Sequence, residues 1–284
     1  TMISVLVVNR DGEPWLERCL ASVGDPPPPD VEVVLVDNCS SDESVELVRR
    51  RFPHVNVLEN RRNFGFGAAN NQAAAQARGE ALLLLNNDAW LEPGCLALLH
   101  ARLDREPDLG LVAPRLIGPD RRPRFVWSPD RSLLGEAVQR VRNPFEGAAF
   151  NHRPIDRLMR AVSGPGWYTA ACVLIRRRAF DDVGGFDPSF FLYFEDADLC
   201  VRIREAGWNL DWELDAVAVH AGGGGKLGGA VADEYRRSQL YYYRKHRPPW
   251  ELAVLKFMLG RRYGGGQVRD WLDRAAREAD GEST

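Results

Sequence analysis

Several features that mark particular protein classes are scarce in this sequence. Lysine occurs at three positions, Lys226, Lys245 and Lys256, and almost all other positive charge is arginine, a bias from which no function follows. The five cysteines are odd in number and scattered, without a CxxC pair. We therefore interpret them as small buried residues of a protein in a reducing compartment.

Long apolar runs and a strong net charge are also absent. No run approaches the length of a membrane span, and the chain starts on a core-like strand, so we expect no signal peptide and a cytoplasmic location. The net charge of −3 argues against bulk electrostatic binding to nucleic acid. With 284 residues, 45% of them hydrophobic, the chain can form one large domain, with or without a small appendage.

Hydrophobic periodicity in the first half predicts alternating strands and helices. Continuous apolar runs over residues 3–8, 31–36 and 81–85 are typical of strands buried on both faces of a parallel sheet. Further strands are predicted over 55–58 and 109–113, and helices over 15–23, 42–51 (with Asp42 as N-cap), 68–78 and 93–105. This order predicts an open α/β sheet, in which ligands collect where the strands end.

Polar clusters follow these strands directly. Residues 9–12 and 37–42 follow the first two strands, and Asn86, Asn87 and Asp88 follow the strand over 81–85. The segment Asn63-Phe64-Gly65-Phe66-Gly67 precedes an alanine-rich helix. Its glycines allow either the close approach of a backbone or a tight turn, and the motif alone does not choose between them.

The second half is less regular. Residues 114–165 contain only one predicted helix, near 132–141, and are either an acceptor-side flap or a surface loop. Strands are predicted over 167–175 and over 209–220, the latter ending at His220. The glycine-rich stretch 222–229 lacks P-loop spacing, and both a glycine-hinged lid and a disordered connector remain open.

Three carboxylates, Glu195, Asp196 and Asp198, occupy the start of another predicted helix, directly after an aromatic run. Exposed N–H groups and the helix macrodipole stabilise acidic residues there, which favours a capped structural helix. Aromatic walls and a neighbouring negative charge also raise the pKa of a carboxyl group, which favours a general base. The residues alone leave both explanations open.

The last sixty residues are helical in pattern, with helices predicted over 232–246 and 250–263. Between residues 236 and 262, eight basic residues stand against a single acidic one, Glu251, beside apolar side chains such as Trp250. This combination suits peripheral contact with an anionic membrane surface. A helix packed on its own domain, with a solvated basic face, is the alternative.

An α/β sheet would gather Asp37, the triplet 86–88 and His220 along one rim, with Asp196 as a poorly solvated carboxylate nearby. Oxygen ligands beside a close backbone approach suit a diphosphate with a divalent cation. Mg²⁺ and Mn²⁺ accept carboxylate, amide and phosphate oxygens, and Mn²⁺ also accepts imidazole.

With these motifs, the sequence resembles the family 2 glycosyltransferases of GT-A fold, close to the rhamnosyltransferase-like branch. The resemblance covers roughly residues 3–220 and is carried by five motifs in the family's order: VVNRDG, VDNCSSDES, RNFGFGAANN, LLNNDA and VGGFDPSFFLYFEDADLCVR. It implies a single Rossmann-like, mostly parallel sheet flanked by helices over 1–230, with a nucleotide-sugar half over 1–113 and an acceptor half over 114–230. Residues 231–284 would form a C-terminal helical extension.

The resemblance also implies roles for individual residues. Asp196 would remove the proton from the acceptor hydroxyl, and Asp88 with His220 would hold Mg²⁺ or Mn²⁺. Trp167 would stack on the acceptor sugar or pack in the core, while Glu195 and Asp198 would fix the acceptor or the helix start. The nucleotide-diphosphate sugar would be bound by Asn9, Asp37, Asn38, Ser40, Asn63, Gly65, Gly67, Asn86 and Asn87.

One departure affects the expected metal, because the first carboxylate of the family's DxD triplet is an amide here, Asn86. A site with one charge fewer should hold a cation more weakly or depend on donor phosphates. The implied reaction is inverting transfer to a saccharide or lipid-linked saccharide in cell-surface polysaccharide synthesis. Rhamnose from dTDP-rhamnose is the first expected donor, and a UDP-hexose is the alternative.

Two other functions compete with transfer. A non-catalytic nucleotide-sugar-binding module is one, because the triplet weakens the metal site. A nucleotidylyltransferase is the other, and it is disfavoured because NRDGEPW after the first strand is not a glycine-rich, basic loop.

Overall fold

The computed structural model describes residues 2–145, 165–222 and 229–279. The strands are β1 (Ile3–Asn9), β2 (Val31–Asp37), β3 (Asn56–Glu59), β4 (Ala81–Leu85), β5 (Ala89–Leu91), β6 (Leu109–Ile117), β7 (Trp127–Ser128), β8 (Trp167–Tyr168), β9 (Cys172–Arg176) and β10 (Asn209–His220). The helices are α1 (Glu13–Ala21), α2 (Ser44–Arg51), α3 (Phe66–Gln76), α4 (Cys95–Arg105), α5 (Leu133–Arg142), α6 (Arg177–Asp182), α7 (Glu195–Glu205), α8 (Gly229–His246), α9 (Pro249–Tyr263) and α10 (Gly265–Ala279).

Eight strands form one sheet in the order β3-β2-β1-β4-β9-β6-β10-β5. Strands β3, β2, β1 and β4 are parallel neighbours, and β6 is parallel to β10. Strand β9 lies antiparallel between β4 and β6, and β5 is antiparallel to β10. The sheet is therefore mixed, with four parallel and three antiparallel strand pairings. A separate pair, β7 with β8, adds a second small sheet to the single one that was expected.

The apolar strands lie inside the molecule, as the sequence predicts. Val5, Leu6 and Val7 of β1 are completely buried, as are Leu82 and Leu83 of β4. Burying a side chain of this size contributes about 2 kcal/mol. Because both faces of the central strands are covered, the polar residues that follow them are confined to the strand ends.

Several predicted boundaries move for local reasons. Helix α2 begins at Ser44, and its N-cap residue is Glu43 rather than the predicted Asp42. Asp42 still supports the helix start, because its carboxylate accepts a hydrogen bond from the Ser44 N–H. The strand predicted over 167–175 is divided into β8 and β9. The chain leaves the strand between residues 169 and 171, where the Asn86 N–H donates to the Ala171 carbonyl at 2.9 Å. Strand β5 was not predicted, and α10 lies in the expected helical extension over 231–284, where no separate bounds were predicted for it.

The C-terminal helices share a hydrophobic cluster with the start of α7. Phe190 and Phe194 pack in it with residues of all three helices: Leu240, Tyr242, Tyr243, Leu255, Leu259, Val268 and Trp271. The extension therefore packs directly against the helix that carries Asp196.

Part of the expected positive surface over 236–262 is neutralised internally, which corrects the sequence count. Arg237 is buried and pairs with Glu234, while Arg247 pairs with Asp130 and Glu251. Lys245 pairs with Asp187 and Asp198. Buried cations need such partners, because an unpaired buried charge is costly. Arg244, Lys256, Arg261 and Arg262 are exposed.

Two predicted segments fall largely outside the described ranges. These are residues 146–164 of the expected flap and residues 223–228 of the glycine-rich stretch.

Candidate active site

A buried amide joins the ends of the first strands. Asn9 of β1 pairs in register with Asp37 of β2, and its Nδ2 donates to Asp37 Oδ1 at 2.9 Å and to Ser44 Oγ at 2.8 Å. Asn87 Nδ2 donates to Asn9 Oδ1 at 3.0 Å. Asn9 therefore links the turns after β1, β2 and β4.

Asp37 is also buried, and its carboxylate shapes its own turn. Oδ2 accepts from the Ser40 N–H at 3.0 Å, and Oδ1 accepts from Ser40 Oγ at 2.5 Å. Cys39 in this turn has a positive φ of 67°, a strained conformation that such bonds help to hold. Donor binding by Asp37 and Ser40 stays a prediction, and the contacts between them support the turn that presents Asn38.

A cavity of about 210 Å³ lies beside that turn. Five of the nine predicted donor residues line it: Asn38, Asn63, Gly65, Asn86 and Asn87. Asn38 Nδ2 donates to Asn63 Oδ1 at 2.7 Å, and Asn38 Oδ1 accepts from the Phe64 N–H at 3.0 Å. Amide groups thus cover this wall with donors and acceptors.

Arg10 also lines this cavity, and the sequence reasoning did not select it. Its Nη1 donates to the Asn38 carbonyl at 3.3 Å. Its position directly after Asn9, in the turn after β1, was the available signal.

The glycines of the 63–67 segment have separate structural reasons. Gly65 has a φ of 86°, and a Cβ there would collide with the carbonyl oxygen of Phe191. The N–H of Phe66 donates to that same oxygen at 3.1 Å. A Cβ on Gly67 would lie 2.9 Å from Cβ of Phe186, so Gly67 lets α3 pack on the 186–191 segment. Among the described residues, these glycines therefore allow the 63–67 segment to approach the 186–191 segment closely.

Asp88 and His220 meet at the far end of the sheet. Pairing of β5 with β10 sets Ala89 opposite His220, and His220 Nε2 lies 3.2 Å from Asp88 Oδ1. Burial raises the pKa of the Asp88 carboxyl, but the hydrogen bond and charge of His220, with backbone N–H groups, hold it below its ordinary value. Asp88 is therefore an anion at neutral pH.

This pair fits a divalent cation that has other ligands as well. Asn86 Nδ2 lies 3.5 Å from His220 Nε2, and Asn86 Oδ1 is buried without a hydrogen-bond partner in the described residues. A carboxylate, an imidazole and a free amide oxygen are all suitable ligands for Mn²⁺. The carboxylate and the amide oxygen also suit Mg²⁺. Within residues 2–145, 165–222 and 229–279, no group of three or more His, Cys, Asp or Glu residues could hold a metal. Phosphate and water oxygens would have to complete the set.

Asp196 lies in the first turn of α7, after two residues with positive φ, Tyr193 and Phe194. Burial raises the pKa of Asp196 to about 6, against the opposing effects of the Arg131 charge and the N–H groups of Ala197 and Ala170. A carboxylate with this pKa is largely ionised at pH 7 and is suited to accept a proton. The strained backbone before it is common at functional sites.

Residues 169–171 connect Asp196 to the metal-side triplet. The Ala170 N–H lowers the pKa of the Asp196 carboxyl, and the adjacent Ala171 carbonyl accepts from the Asn86 N–H at 2.9 Å. One short segment therefore bonds to the triplet 86–88 and also influences the charge of the base candidate.

The other two carboxylates of this helix have different surroundings. Glu195 is 7% exposed, its Oε2 has no hydrogen-bond partner in the described residues, and burial with the nearby Asp196 charge raises its pKa well above the ordinary value. Both effects disfavour the charged form of Glu195. Asp198 is fully buried and paired with Arg202, Lys245 and His246, each at 2.7 Å. These contacts favour the helix-fixing alternative for Asp198.

A larger cavity of about 700 Å³ borders both sides of this arrangement, because His220, Trp167, Thr169 and Arg131 all line it. The Arg131 guanidinium carbon lies 4.4 Å from the Trp167 ring centroid and 4.6 Å from that of Phe194. Arg131 was missed by the sequence reasoning, since it falls in the stretch without periodicity and no motif marks it.

Comparison with known proteins identifies the family of this chain. The family model described as glycosyl transferase family 2 matches residues 3–198. An N-acetylglucosaminyl-diphospho-decaprenol L-rhamnosyltransferase of Mycobacterium tuberculosis (strain ATCC 25618 / H37Rv) is 29% identical over 279 residues, which cover 91% of this chain and 89% of that protein. The O-antigen biosynthesis protein RfbC of Myxococcus xanthus is 30% identical over 211 residues, which cover 72% of this chain but only 16% of RfbC.

Solved structures are similar in fold. A mannosyltransferase from Pyrobaculum calidifontis, solved with GDP-Man and Mn²⁺, matches with a TM-score of 0.58 and 17% identity, over 99% of this chain and 76% of that one. GalNAc-T7, solved with UDP, GalNAc and Mn²⁺, matches with a TM-score of 0.60 and 20% identity, over 85% of this chain and about half (49%) of that chain. The GT-A fold expected from the sequence is thereby confirmed. The chain belongs to glycosyl transferase family 2.

Proposed function

We propose that this protein transfers a sugar, with inversion, from a nucleoside diphosphate to a saccharide or lipid-linked saccharide in cell-surface polysaccharide synthesis. The observation that carries the proposal is the shared segment 169–171, which bonds to Asn86 through Ala171 and lowers the pKa of Asp196 through the Ala170 N–H. Direct displacement at an anomeric carbon requires a base close to the groups that bind the diphosphate. Rhamnose from dTDP-rhamnose is the first candidate donor, because the M. tuberculosis relative is named a rhamnosyltransferase.

Asp196 acts as the general base in this proposal. Its carboxylate accepts the proton of the acceptor hydroxyl while that oxygen attacks the anomeric carbon, and the bond from that carbon to the diphosphate breaks. Attack on the face opposite the diphosphate inverts the configuration. Burial and the Asp196 charge raise the pKa of the neighbouring Glu195, which disfavours its charged form.

Asp88 and His220 would hold a Mg²⁺ or Mn²⁺ ion, with Asn86 Oδ1 available beside them. When bound, such an ion neutralises the negative charge of the departing nucleoside diphosphate. Arg10 and the amides of Asn38 and Asn63 bind the nucleotide part in the smaller cavity. Their hydrogen-bonding groups suit the polar edge that thymine and uracil share, so UDP-hexoses are the alternative donors.

The cytoplasmic membrane face is the proposed location, with α9 as the contact. Phe257 and Trp250 are 69% and 62% exposed, and Val254 and Met258 are exposed beside them. Lys256, Arg261 and Arg262 on the same helix remain exposed. Apolar side chains among cations suit an anionic lipid surface. None of the helices in the described ranges combines the length and hydropathy of a membrane-spanning segment.

A donor screen tests the proposal. The full chain is heated with dTDP-rhamnose, UDP-glucose or UDP-N-acetylglucosamine, each with Mg²⁺, Mn²⁺ or chelator, and the melting temperature is measured. Binding stabilises the folded state by mass action, so one donor should raise the melting temperature in a metal-dependent way. Release of nucleoside diphosphate on adding a lipid-linked saccharide should follow. A donor that binds without release for any acceptor would favour the binding-module alternative, and no shift with any donor would refute both.

A further inference from the structure

The larger cavity is rich in guanidinium groups. Arg122, Arg124 and Arg131 line it together with a single aspartate, Asp120, among the described residues. The rest of its polar lining includes Ser128, Gln139, Asn143 and Thr169. A cavity with this lining has the donor groups that a multiply charged anion requires.

These arginines are only partly neutralised. Arg124 pairs with Asp120 at 3.1 Å, whereas Arg122 and Arg131 form no ion pair with a described carboxylate. Arg122 is exposed at the cavity, and Arg131 lies against the ring of Trp167. Arg122 is therefore available to an anionic ligand, and a guanidinium can bind a phosphate through two parallel N–H groups.

Two buried N–H donors in the lining also lack partners. They are Nε of Arg131 and Nε1 of Trp167, and neither makes a hydrogen bond in the part of the chain that the structure describes. A buried donor without an acceptor costs about 1–3 kcal/mol, so an oxygen-rich ligand here would remove a penalty. Charge and hydrogen bonding thus point to the same kind of ligand.

The position of the cavity decides what that ligand belongs to. Five of the predicted donor residues line the smaller cavity, whereas His220 and Trp167, a predicted acceptor residue, line this one, and the Arg131 charge beside Trp167 acts on Asp196. A molecule bound against Trp167 and Arg131 therefore lies near the proposed base and outside the smaller cavity, which is where an acceptor is expected.

We propose that this cavity is an acceptor subsite for phosphate or diphosphate, in which Arg122, Arg124 and Arg131 select a saccharide linked to phosphate over the same saccharide without it. This inference rests on the proposed transfer reaction and names its acceptor class. The phosphate group is held by the guanidiniums, and the sugar that follows it presents its hydroxyl to Asp196.

The test compares three acceptors with one saccharide in common: polyprenyl diphosphate-linked, diphosphate-linked without the lipid, and neutral. The variant Arg122→Gln/Arg124→Gln removes two positive charges without touching the proposed base, donor or metal residues. Arg115→Gln is the matched control, because Arg115 is an exposed arginine of β6 outside the cavity. Donor affinity is measured separately by calorimetry.

For the double variant, kcat/KM for both phosphate-bearing acceptors should fall at least about tenfold, since charge-assisted bonds to phosphate are lost. Activity with the neutral acceptor and donor affinity should stay within about twofold, and Arg115→Gln should change neither. A loss confined to the lipid-bearing acceptor would assign the arginines to lipid contact and overturn the phosphate subsite. Weakened donor binding would assign the cavity to the donor and would also overturn the phosphate subsite. Equal losses of kcat/KM for all three acceptors, or no loss for any of them, would overturn it as well. A wild-type protein that binds no nucleotide sugar would instead refute the proposed function itself.

Discussion

His220 Nε2 lies 3.2 Å from Asp88 Oδ1, and this contact joins the last residue of β10 to the turn that follows β4. Antiparallel pairing between β5 and β10 brings the two residues together. The departure from the family's triplet at Asn86 leaves Asp88 as its single carboxylate. His220 thus stands where a second ligand is needed.

Replacing Asp88 should therefore weaken metal-dependent donor binding. In Asp88→Asn, the rise in melting temperature with Mn²⁺ plus nucleoside diphosphate should largely disappear, and kcat/KM should fall at least about tenfold, as loss of metal-site partners typically causes. Glu92→Gln, which removes a surface carboxylate that pairs with Arg121, is the control. An unchanged Mn²⁺ response in Asp88→Asn would exclude Asp88 as a ligand.

Asp196→Asn should separate binding from chemistry. The amide keeps the size of the side chain but cannot accept the hydroxyl proton, so transfer should fall about 10²–10⁴-fold, the contribution usual for a general base. Donor affinity should stay within about twofold. The measurements are diphosphate release with acceptor and calorimetry without it, and transfer that survives within about tenfold contradicts the assignment.

The pH profile should show the same carboxylate. Asp196 works only when deprotonated, so kcat/KM should decline as the pH falls through the value near 6 to which burial raises its pKa. Arg131 lowers that pKa, because its positive charge favours the carboxylate. In Arg131→Gln the acid limb should therefore move to higher pH, while in Arg115→Gln it should not move. A downward shift or no shift would show that Arg131 does not influence the base.

Asp198 should matter for stability. Its buried carboxylate neutralises Arg202 and Lys245 and contacts His246, and breaking a buried ion pair on one side costs about 3–5 kcal/mol. Asp198→Asn should lower the free energy of unfolding by roughly that amount at pH 7, measured by urea denaturation. Glu205→Gln, at an exposed position of the same helix, should cost under about 0.5 kcal/mol.

The sign of the pH dependence provides a second check on Asp198. Burial opposes ionisation, but His246, Arg202 and Lys245 hold its pKa below the ordinary value in the folded protein. Its stabilisation is therefore present above the unfolded-state pKa and is lost as the pH falls through the folded-state pKa. The stability difference from Asp198→Asn should shrink in acid, and a difference that grows there would contradict the ion-pair explanation.

Gly65→Ala should disturb the donor cavity through the backbone. With φ at 86° and ψ at 170°, a residue with a Cβ is strained by about 1–3 kcal/mol, and the new Cβ collides with Phe191. Donor affinity should fall, as measured by calorimetry. Gly94→Ala is the control, since Gly94 also has a positive φ of 81° but open space around it, so it should lose stability without losing donor affinity.

Local patterns were sufficient for most of the fold. The apolar runs of β1, β2 and β4 predicted buried strands within one residue, because continuous hydrophobicity has few other uses in a short segment. Short β5 was missed, because its three residues carry no period. Helix α10 was expected only as part of the helical extension, without bounds of its own.

The sequence by itself determined the α/β order of elements and the polar turns after the strands, because periodicity and turn chemistry depend on neighbours along the chain. Tertiary structure alone decided which turns meet. It placed Arg10 beside Asn38, Arg131 beside Trp167 and near Asp196, and Asp198 against α8. Such contacts join segments far apart in the chain, and only the packing of the sheet and the C-terminal helices brings them within bonding distance.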